Sequence, residues 1–146
     1  MDRVALLDRL ADRLLAHRLG HPLRVGVDGF CGVVKVHDPR TDAVVREEAV
    51  VQEDAVMLFA ATFLQRGALR ELWDEVIHLD APAETAQDRG VRRDADALGG
   101  AAAAAALYDS RYTAACGLHA EEERPAERAS VLIDHRDPSD PVPVRW

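Results

Sequence analysis

Apolar residues recur at three- and four-residue spacing along residues 2–19, where they are Val4, Leu7, Ala11, Leu14 and Leu15. This spacing places them on one face of a helix. Asp2 is suited to cap the start of the helix, and Gly20 is suited to its end. Pro22 then excludes continuation, because its ring has no N–H to donate. The pattern predicts an amphipathic helix over 2–19.

Short runs rich in apolar residues predict β-strands further along the chain, at 23–28, 55–59, 75–80 and 130–134. The run at 55–59 is apolar throughout, which is typical of a strand buried on both faces. Residues 33–36 are a further strand candidate, and residues 43–51 match neither the helical nor the strand pattern. The first run ends at Asp28 and leads into a segment that contains glycines.

Helical segments are predicted between the later strands, over 67–74, 82–97 and 101–123. Pro82 suits the first turn of the second segment, and the alanine-rich start of the third has high helix propensity. Strands that alternate with helices need crossover connections, so we expect an α/β fold with a mostly parallel sheet and flanking helices. The domain is expected over 1–138, with 139–146 as a loosely held C-terminal tail.

Composition and charge exclude several classes of protein. The chain has 146 residues, 48% of them hydrophobic, and a net charge of −8. The acidic balance argues against nucleic-acid binding, and no apolar run is long enough to span a membrane. The N-terminus lacks the apolar core of a signal peptide, so we expect a cytoplasmic protein with no membrane partner. Cys31 and Cys116 are 85 positions apart, which favours two reduced thiols over a metal site.

The segment after the first strand is partly in register with the phosphate-binding pattern GxxxxGK[ST]. Gly29 and Lys35 match, whereas Val34 replaces the second glycine and Val36 replaces the metal-ligating hydroxyl. Lys35 is also the only lysine of the chain. From spacing alone, an ordinary glycine-containing turn with a surface lysine is the favoured alternative. The candidate phosphate-binding residues are Gly29, Phe30, Cys31, Gly32, Val33, Val34, Lys35 and Val36.

Carboxylates and histidines provide weaker candidate sites. Asp28 and Asp80 end predicted strands, where they are candidate metal ligands or helix and turn caps. His17 and His21 are four apart, but the helix end between them argues against a shared metal. His78 lies on an apolar strand, and we expect a core histidine with satisfied hydrogen bonds.

The order of segments resembles the uridine kinase branch of the P-loop nucleoside kinases. The resemblance is carried by RVGVDGFCGV, HDPRTDAVV, the long segment from Asp54 to Pro82, DRGVRRDADALGG, RY and ERASVLIDHRDP, at 24–33, 37–45, 54–82, 88–100, 111–112 and 127–138. Together these cover most of the chain. The implied fold is P-loop NTPase-like but incomplete, because such kinases have a longer stretch after the phosphate loop.

The resemblance implies phosphoryl transfer from ATP, with Mg²⁺, to a nucleoside or similar small hydroxyl compound. It implies catalytic roles for Lys35, Arg89 and Arg93, nucleotide binding by Arg92 and the phosphate loop, and metal binding by Asp28. Arg89 and Arg93 are four residues apart and share one helix face, and guanidinium groups suit phosphate oxygens. The alternative for these arginines is a solvated face that pairs with neighbouring aspartates, namely Asp88, Asp94 and Asp96.

Several departures from the family pattern favour a second hypothesis. The strand at 55–59 is followed by Ala60 and Ala61, where the family pattern has an acidic residue near the metal. No general base for the acceptor hydroxyl is identified in the sequence. Together with Val34 and Val36 in the phosphate loop, these departures predict that any phosphoryl-transfer activity is impaired. The alternative is a catalytically inactive nucleotide-binding or protein-interaction domain, associating as a homodimer through a sheet face left uncovered.

Overall fold

A computed structural model describes residues 2–29 and 52–146 of the chain. The helices in this part are α1 (Arg3–Leu15), α2 (Ala83–Asp94), α3 (Ala101–Leu107), α4 (Thr113–Glu123) and α5 (Pro125–Arg128). The strands are β1 (Leu23–Gly29), β2 (Val56–Ala61), β3 (Glu75–Asp80), β4 (Val131–Asp134) and β5 (Val142–Arg145). A 3₁₀ helix covers Gly67–Leu72, and a π-helical turn, Tyr108–Tyr112, joins α3 to α4.

The strands form one sheet in the order β2-β1-β3-β4-β5. The pairs β2–β1, β1–β3 and β3–β4 are parallel, and β5 is antiparallel to β4. The prediction of an α/β fold with a mostly parallel sheet and flanking helices is therefore confirmed. The central strand β1 places Asp28 opposite His78 of β3.

Helix α1 covers one face of the sheet. Its buried residues Leu6, Leu10 and Leu14 pack into one core with alternate residues of the strands, Leu23, Val25, Ile77, Val131 and Ile133. The apolar face expected for this helix is wrong, because Leu14 alone of its expected members is buried, whereas Val4, Leu7, Ala11 and Leu15 are exposed. Side chains alternate between the two faces of a strand, so the intervening residues point away from α1. Asp28 and His78 are therefore on the opposite face.

On that opposite face, the sheet is approached closely by an aromatic side chain. A Cβ atom at Gly26 would lie 3.2 Å from the indole of Trp73, which explains a glycine in a central strand. The indole nitrogen of Trp73 donates to the backbone oxygen of Leu64 at 2.8 Å. This contact fixes the segment between β2 and β3 against the sheet.

A loosely held tail is expected over 139–146, and this expectation is wrong for the last five residues, 142–146. Strand β5 pairs with β4, and the guanidinium of Arg145 donates to the backbone oxygens of Ala126 and Ala129 at 2.7 and 2.6 Å. Trp146 packs against the α1 core, with Arg9 at 4.1 Å from its ring centre. Pro143 is compatible with this strand because β5 lies at the edge of the sheet, where a missing N–H is tolerated.

In the part of the chain that the structure describes, no helix is both long and apolar enough to cross a membrane.

Candidate functional site

A cavity of about 370 Å³ opens at the carboxyl ends of β1 and β3, on the face opposite α1. Its volume is within the range of small-molecule sites. The strands and the segment after β2 form one wall, and α4 and α5 form the other. The polar and aromatic side chains in these walls are Asp28, Thr62, Phe63, His78, Asp80, His119, Glu121, Arg124 and Glu127.

The strand order explains why a cavity forms at this place. The chain leaves β1 toward β2 on one side and leaves β3 toward β4 on the other side. Because these connections diverge, a crevice remains between the ends of β1 and β3. Ligands of open α/β sheets bind at such switch points, outside the carboxyl ends of the strands.

Asp28 forms the polar floor of the cavity and is only 2% exposed. Its Oδ1 accepts from the Gly29 backbone N–H at 3.0 Å, and its Oδ2 accepts from Gln65 Nε2 at 3.2 Å. Gln65 also donates to the backbone oxygen of Pro125 at 3.0 Å, which links the end of β1 to α5. These bonds compensate for the burial of a carboxylate, which is otherwise unfavourable.

His78 lies beside Asp28 without a hydrogen bond. Its Nδ1 is 3.8 Å from Asp28 Oδ2, which is beyond hydrogen-bonding distance. This nitrogen is buried and has no hydrogen-bond partner within 2–29 and 52–146. The expectation of a satisfied core histidine is therefore wrong, because the parallel register sets the two side chains side by side but too far apart to bond.

His119 on α4 lies in the opposite wall and is 9% exposed. Neither of its ring nitrogens has a hydrogen-bond partner among the described residues. Burial lowers the pKa of His119 below its ordinary value, so the ring is neutral near pH 7.

The ring of Phe63 packs edge-on against the imidazole of His119, with the ring centres 5.0 Å apart, and Phe63 has a left-handed backbone with φ of 66°. Such strained conformations are concentrated at functional sites.

The charges in the cavity walls are mainly negative. Among the described residues, the carboxylates of Asp28, Asp80, Glu121 and Glu127 line the cavity. Arg124 also lines it, and its Nε donates to Glu127 at 2.9 Å. These two charges offset each other, which leaves the carboxylates of Asp28, Asp80 and Glu121. The side chains of the walls therefore favour an uncharged or cationic occupant over an anion.

The predicted phosphate-binding residues are only partly within the described chain. Gly29 lies in the cavity wall, where an added Cβ would be 3.3 Å from the backbone oxygen of Leu79. The other candidates lie outside the described residues, namely Phe30, Cys31, Gly32, Val33, Val34, Lys35 and Val36. Their phosphate-binding role stays a prediction.

The three arginines predicted to close over phosphates lie on α2, and none of them lines the cavity. Arg89 donates to the backbone oxygens of His135, at 2.9 Å, and of Arg136. Arg93 bonds to Asp94 at 2.7 Å and to the hydroxyl of Tyr108 at 3.2 Å, and Asp94 raises its pKa through the side-chain hydrogen bond. Arg92 is exposed. The pairing of Arg93 with Asp94 matches the alternative of an ion-paired helix face.

A protein-held metal finds little support in the described part of the chain. No group of three or more histidine, cysteine, aspartate or glutamate side chains is arranged there to hold an ion. Mg²⁺ at nucleotide sites needs only one or two carboxylates besides phosphate oxygens. Each oxygen of Asp28 accepts one hydrogen bond and retains a second lone pair, so Asp28 could still act as one such ligand. Its role toward Mg²⁺ stays a prediction.

Sequence reasoning missed His119 and Gln65. A weak signal existed for His119, because Cys116 and His119 are three residues apart and so share one helix face. Both are buried in the cavity wall. Gln65 had no such signal, because its partner Asp28 is 37 positions away in the chain.

No protein-family model, curated protein or solved structure matches the chain.

Proposed function

We propose that the protein is an ATP-dependent phosphotransferase of the nucleoside-kinase type, located in the cytoplasm. It transfers the terminal phosphoryl group of Mg-ATP to a hydroxyl of a nucleoside or a similar small molecule. The observation that carries the proposal is the position of Asp28 and Gly29. These residues end the central strand in the wall of the switch-point cavity, directly before the segment that resembles a phosphate loop.

Each part of the proposed site has a separate task. The cavity holds the hydroxylated acceptor, and residues 29–36 bind the nucleotide phosphates through backbone N–H groups and Lys35. Phosphoryl transfer depends on positioning of the reacting groups and on compensation of the phosphate charge. Lys35, as the cation of this segment, therefore has the central role.

The first test is a calorimetric titration of the protein with ATP, with and without Mg²⁺. We expect saturable binding that Lys35→Ala weakens by at least about tenfold, because the variant loses the cation beside the phosphates. Arg18→Ala is the matched control. It removes one positive charge from the segment between α1 and β1. This segment precedes the amino end of β1, whereas residues 29–36 follow its carboxyl end. Equal ATP binding by wild type and Lys35→Ala would contradict the proposal.

A second candidate function is a catalytically inactive nucleotide-binding or protein-interaction domain. The bonds of Arg89 and Arg93 within their own chain favour it, because these bonds occupy groups that a lid would use on phosphates. Incubation with Mg-ATP and pyrimidine or purine nucleosides separates the two candidates. Phosphorylated nucleoside supports the kinase, whereas a folded homodimer without product supports the inactive domain. A monomer with high ATP affinity contradicts the interaction-domain form.

A further inference from the structure

We infer that two copies of the chain form a symmetric dimer through the outer edge of β2, where their β2 strands pair antiparallel. The sheets of the two copies then continue into one sheet across a two-fold axis. This interface goes beyond the proposed function and does not depend on it, because β2 lies at the side of the sheet. None of the described residues that line the cavity belongs to β2.

The outer edge of β2 presents backbone groups that can pair with a further strand. In the part of the chain that the structure describes, β2 is the first strand of the sheet and pairs only with β1. The Leu23 N–H donates to the backbone oxygen of Ala55 at 3.0 Å, so alternate residues from Ala55 onward bond toward β1. The intervening residues Val56, Leu58 and Ala60 therefore point their N–H and C=O groups outward. Such a row of donors and acceptors is a template for another chain.

The side chains of β2 favour pairing, whereas those at the opposite edge of the sheet disfavour it. Strand β2 has the sequence VMLFAA, without a charge or a proline. Leu58 and Phe59 are 62% and 48% exposed and lie on opposite faces, so the expectation of a strand buried on both faces is wrong. At the other edge, β5 contains Pro143 and Arg145, and prolines and charges protect edge strands from pairing.

The charges beside β2 indicate that the partner strand belongs to a second copy. Glu53 and Asp54 precede β2, Arg66 follows it, and all three residues are exposed. Antiparallel pairing of two identical strands brings the amino end of each strand to the carboxyl end of the other. The carboxylates of one copy then lie near the arginine of the second copy, and the two-fold axis repeats this attraction.

The direction of the backbone groups determines the register of the dimer. In an antiparallel pair, residues that point toward each other exchange both of their hydrogen bonds. A symmetric pair over the full strand therefore places Leu58 opposite Leu58 of the second copy, on the two-fold axis, and Val56 opposite Ala60. Because opposite residues share one face of the sheet, the exposed Leu58 side chains contact each other.

Sedimentation equilibrium of the full chain over a range of concentrations tests the dimer. We expect a reversible monomer–dimer equilibrium for the wild type. Leu58→Lys places two like charges opposite each other, so we expect its dissociation constant to rise at least about tenfold. Val144→Lys, at a position of β5 that is 60% exposed, is the matched control and should dimerise like the wild type. A wild type that is monomeric at every concentration, or a dimer insensitive to Leu58→Lys, would overturn the inference.

A mixture of two variants tests the register. Leu58→Glu should dimerise as weakly as Leu58→Lys, because each variant places like charges on the axis. An equimolar mixture of the two should form a heterodimer, since opposite charges then face each other. If both variants fold, as circular dichroism shows, and the mixture remains monomeric, residue 58 does not meet its own copy and the inference is overturned.

Amide hydrogen exchange of the wild type gives a test that needs no variant. The N–H groups of Leu58 and Ala60 should become more protected as the protein concentration rises. The N–H of Phe59 is the internal control, because it bonds toward β1 and should be protected at every concentration. Protection of Leu58 and Ala60 that is independent of concentration would show that the same chain covers the edge. That result, or no protection of them at all, would overturn the inference.

Discussion

The ion pairs and hydrogen bonds of individual polar side chains differ between the amino and the carboxyl ends of the strands. At the amino end, the guanidinium of Arg24 donates to both oxygens of Asp74, at 3.0 and 2.8 Å, and the Arg24 backbone N–H donates as well. Nearby, Arg13 and His17 lie 3.0 and 2.8 Å from Glu75. At the carboxyl end, Nδ1 of His78 and both ring nitrogens of His119 have no hydrogen-bond partner in the described segments 2–29 and 52–146. The ion pairs at the amino end stabilise the fold, although Arg13 Nε is also buried there without a partner among the described residues.

The pairing of Asp74 predicts a specific pH dependence of stability. The hydrogen bonds from Arg24 lower the pKa of Asp74 from 3.8 to about 2. Because this pKa is lowered in the folded protein, the stabilisation is complete above about pH 4 and is lost as the pH falls through about 2. We expect Asp74→Asn to reduce the free energy of unfolding by about 1–2 kcal/mol at pH 7, since Arg24 is partly exposed to solvent.

Urea unfolding at several pH values measures this effect. The difference between wild type and Asp74→Asn should disappear near pH 2. Asp88→Asn, at an exposed position of α2, is the matched control and should differ little from wild type at any pH. A difference for Asp74→Asn that persists unchanged at pH 2 would show that the ion pair is not its source.

Between elements, close packing determines how the helices opposite α1 fit together. Tyr108, 1% exposed, begins the π-helical turn between α3 and α4 and lies against α2. Its hydroxyl donates to Asp94 at 2.7 Å, and its ring packs edge-on against Tyr112 at 4.9 Å. Gly90 of α2 provides the space for this ring. The single helix predicted over 101–123 therefore contains a local change of helical geometry where it meets α2.

Two glycines in helices give a matched test of this packing. A Cβ at Gly90 would lie 2.4 Å from the ring of Tyr108, whereas a Cβ at Gly117 of α4 has no atom within 4 Å. We expect Gly90→Ala to reduce the free energy of unfolding by about 1–3 kcal/mol through overpacking. Gly117→Ala should increase it by about 0.5–1 kcal/mol, because alanine is the better helix former. Chemical denaturation measures both, and equal effects would contradict this packing.

For the whole molecule, the last residues of the chain complete both the sheet and the core. Strand β5 covers the edge of β4, Arg145 donates to the backbone of α5 and of Ala129 just after it, and Trp146 packs against the core formed with α1. The two ends of the described chain are thus in contact through Arg9 and Trp146. Stability should consequently depend on the C-terminal residues as well as on the central strands.

Truncation of the last side chain tests this dependence. We expect Trp146→Ala to lower the free energy of unfolding by about 2 kcal/mol, because it removes apolar contacts and the cation–π contact with Arg9. Val144→Ala, at a position of β5 that is 60% exposed, is the control and should change it little. Thermal unfolding compares the two variants, and equal stability of Trp146→Ala and wild type would contradict a structural role for this residue.

The sequence alone determined most elements of the described chain, because their signals are local. The helical repeat predicted α1, although its buried face was assigned correctly only at Leu14, and runs of strand length predicted β1, β2, β3 and β4. Their alternation with helices predicted parallel pairing, since parallel strands need long connections. Asp28 was a candidate because it ends a strand. These features depend on residues that are close in sequence.

The tertiary structure alone decided which distant residues meet. Strand β5 forms because β4 offers an open edge, although the three prolines between His135 and Trp146 predict a loosely held tail. The cavity exists because the connections from β1 and β3 diverge, and it brings Asp28, His78 and His119 together. No local signal encodes these distances or the missing partners of the histidine nitrogens. Strand order and register determine them, and both result from packing the whole chain.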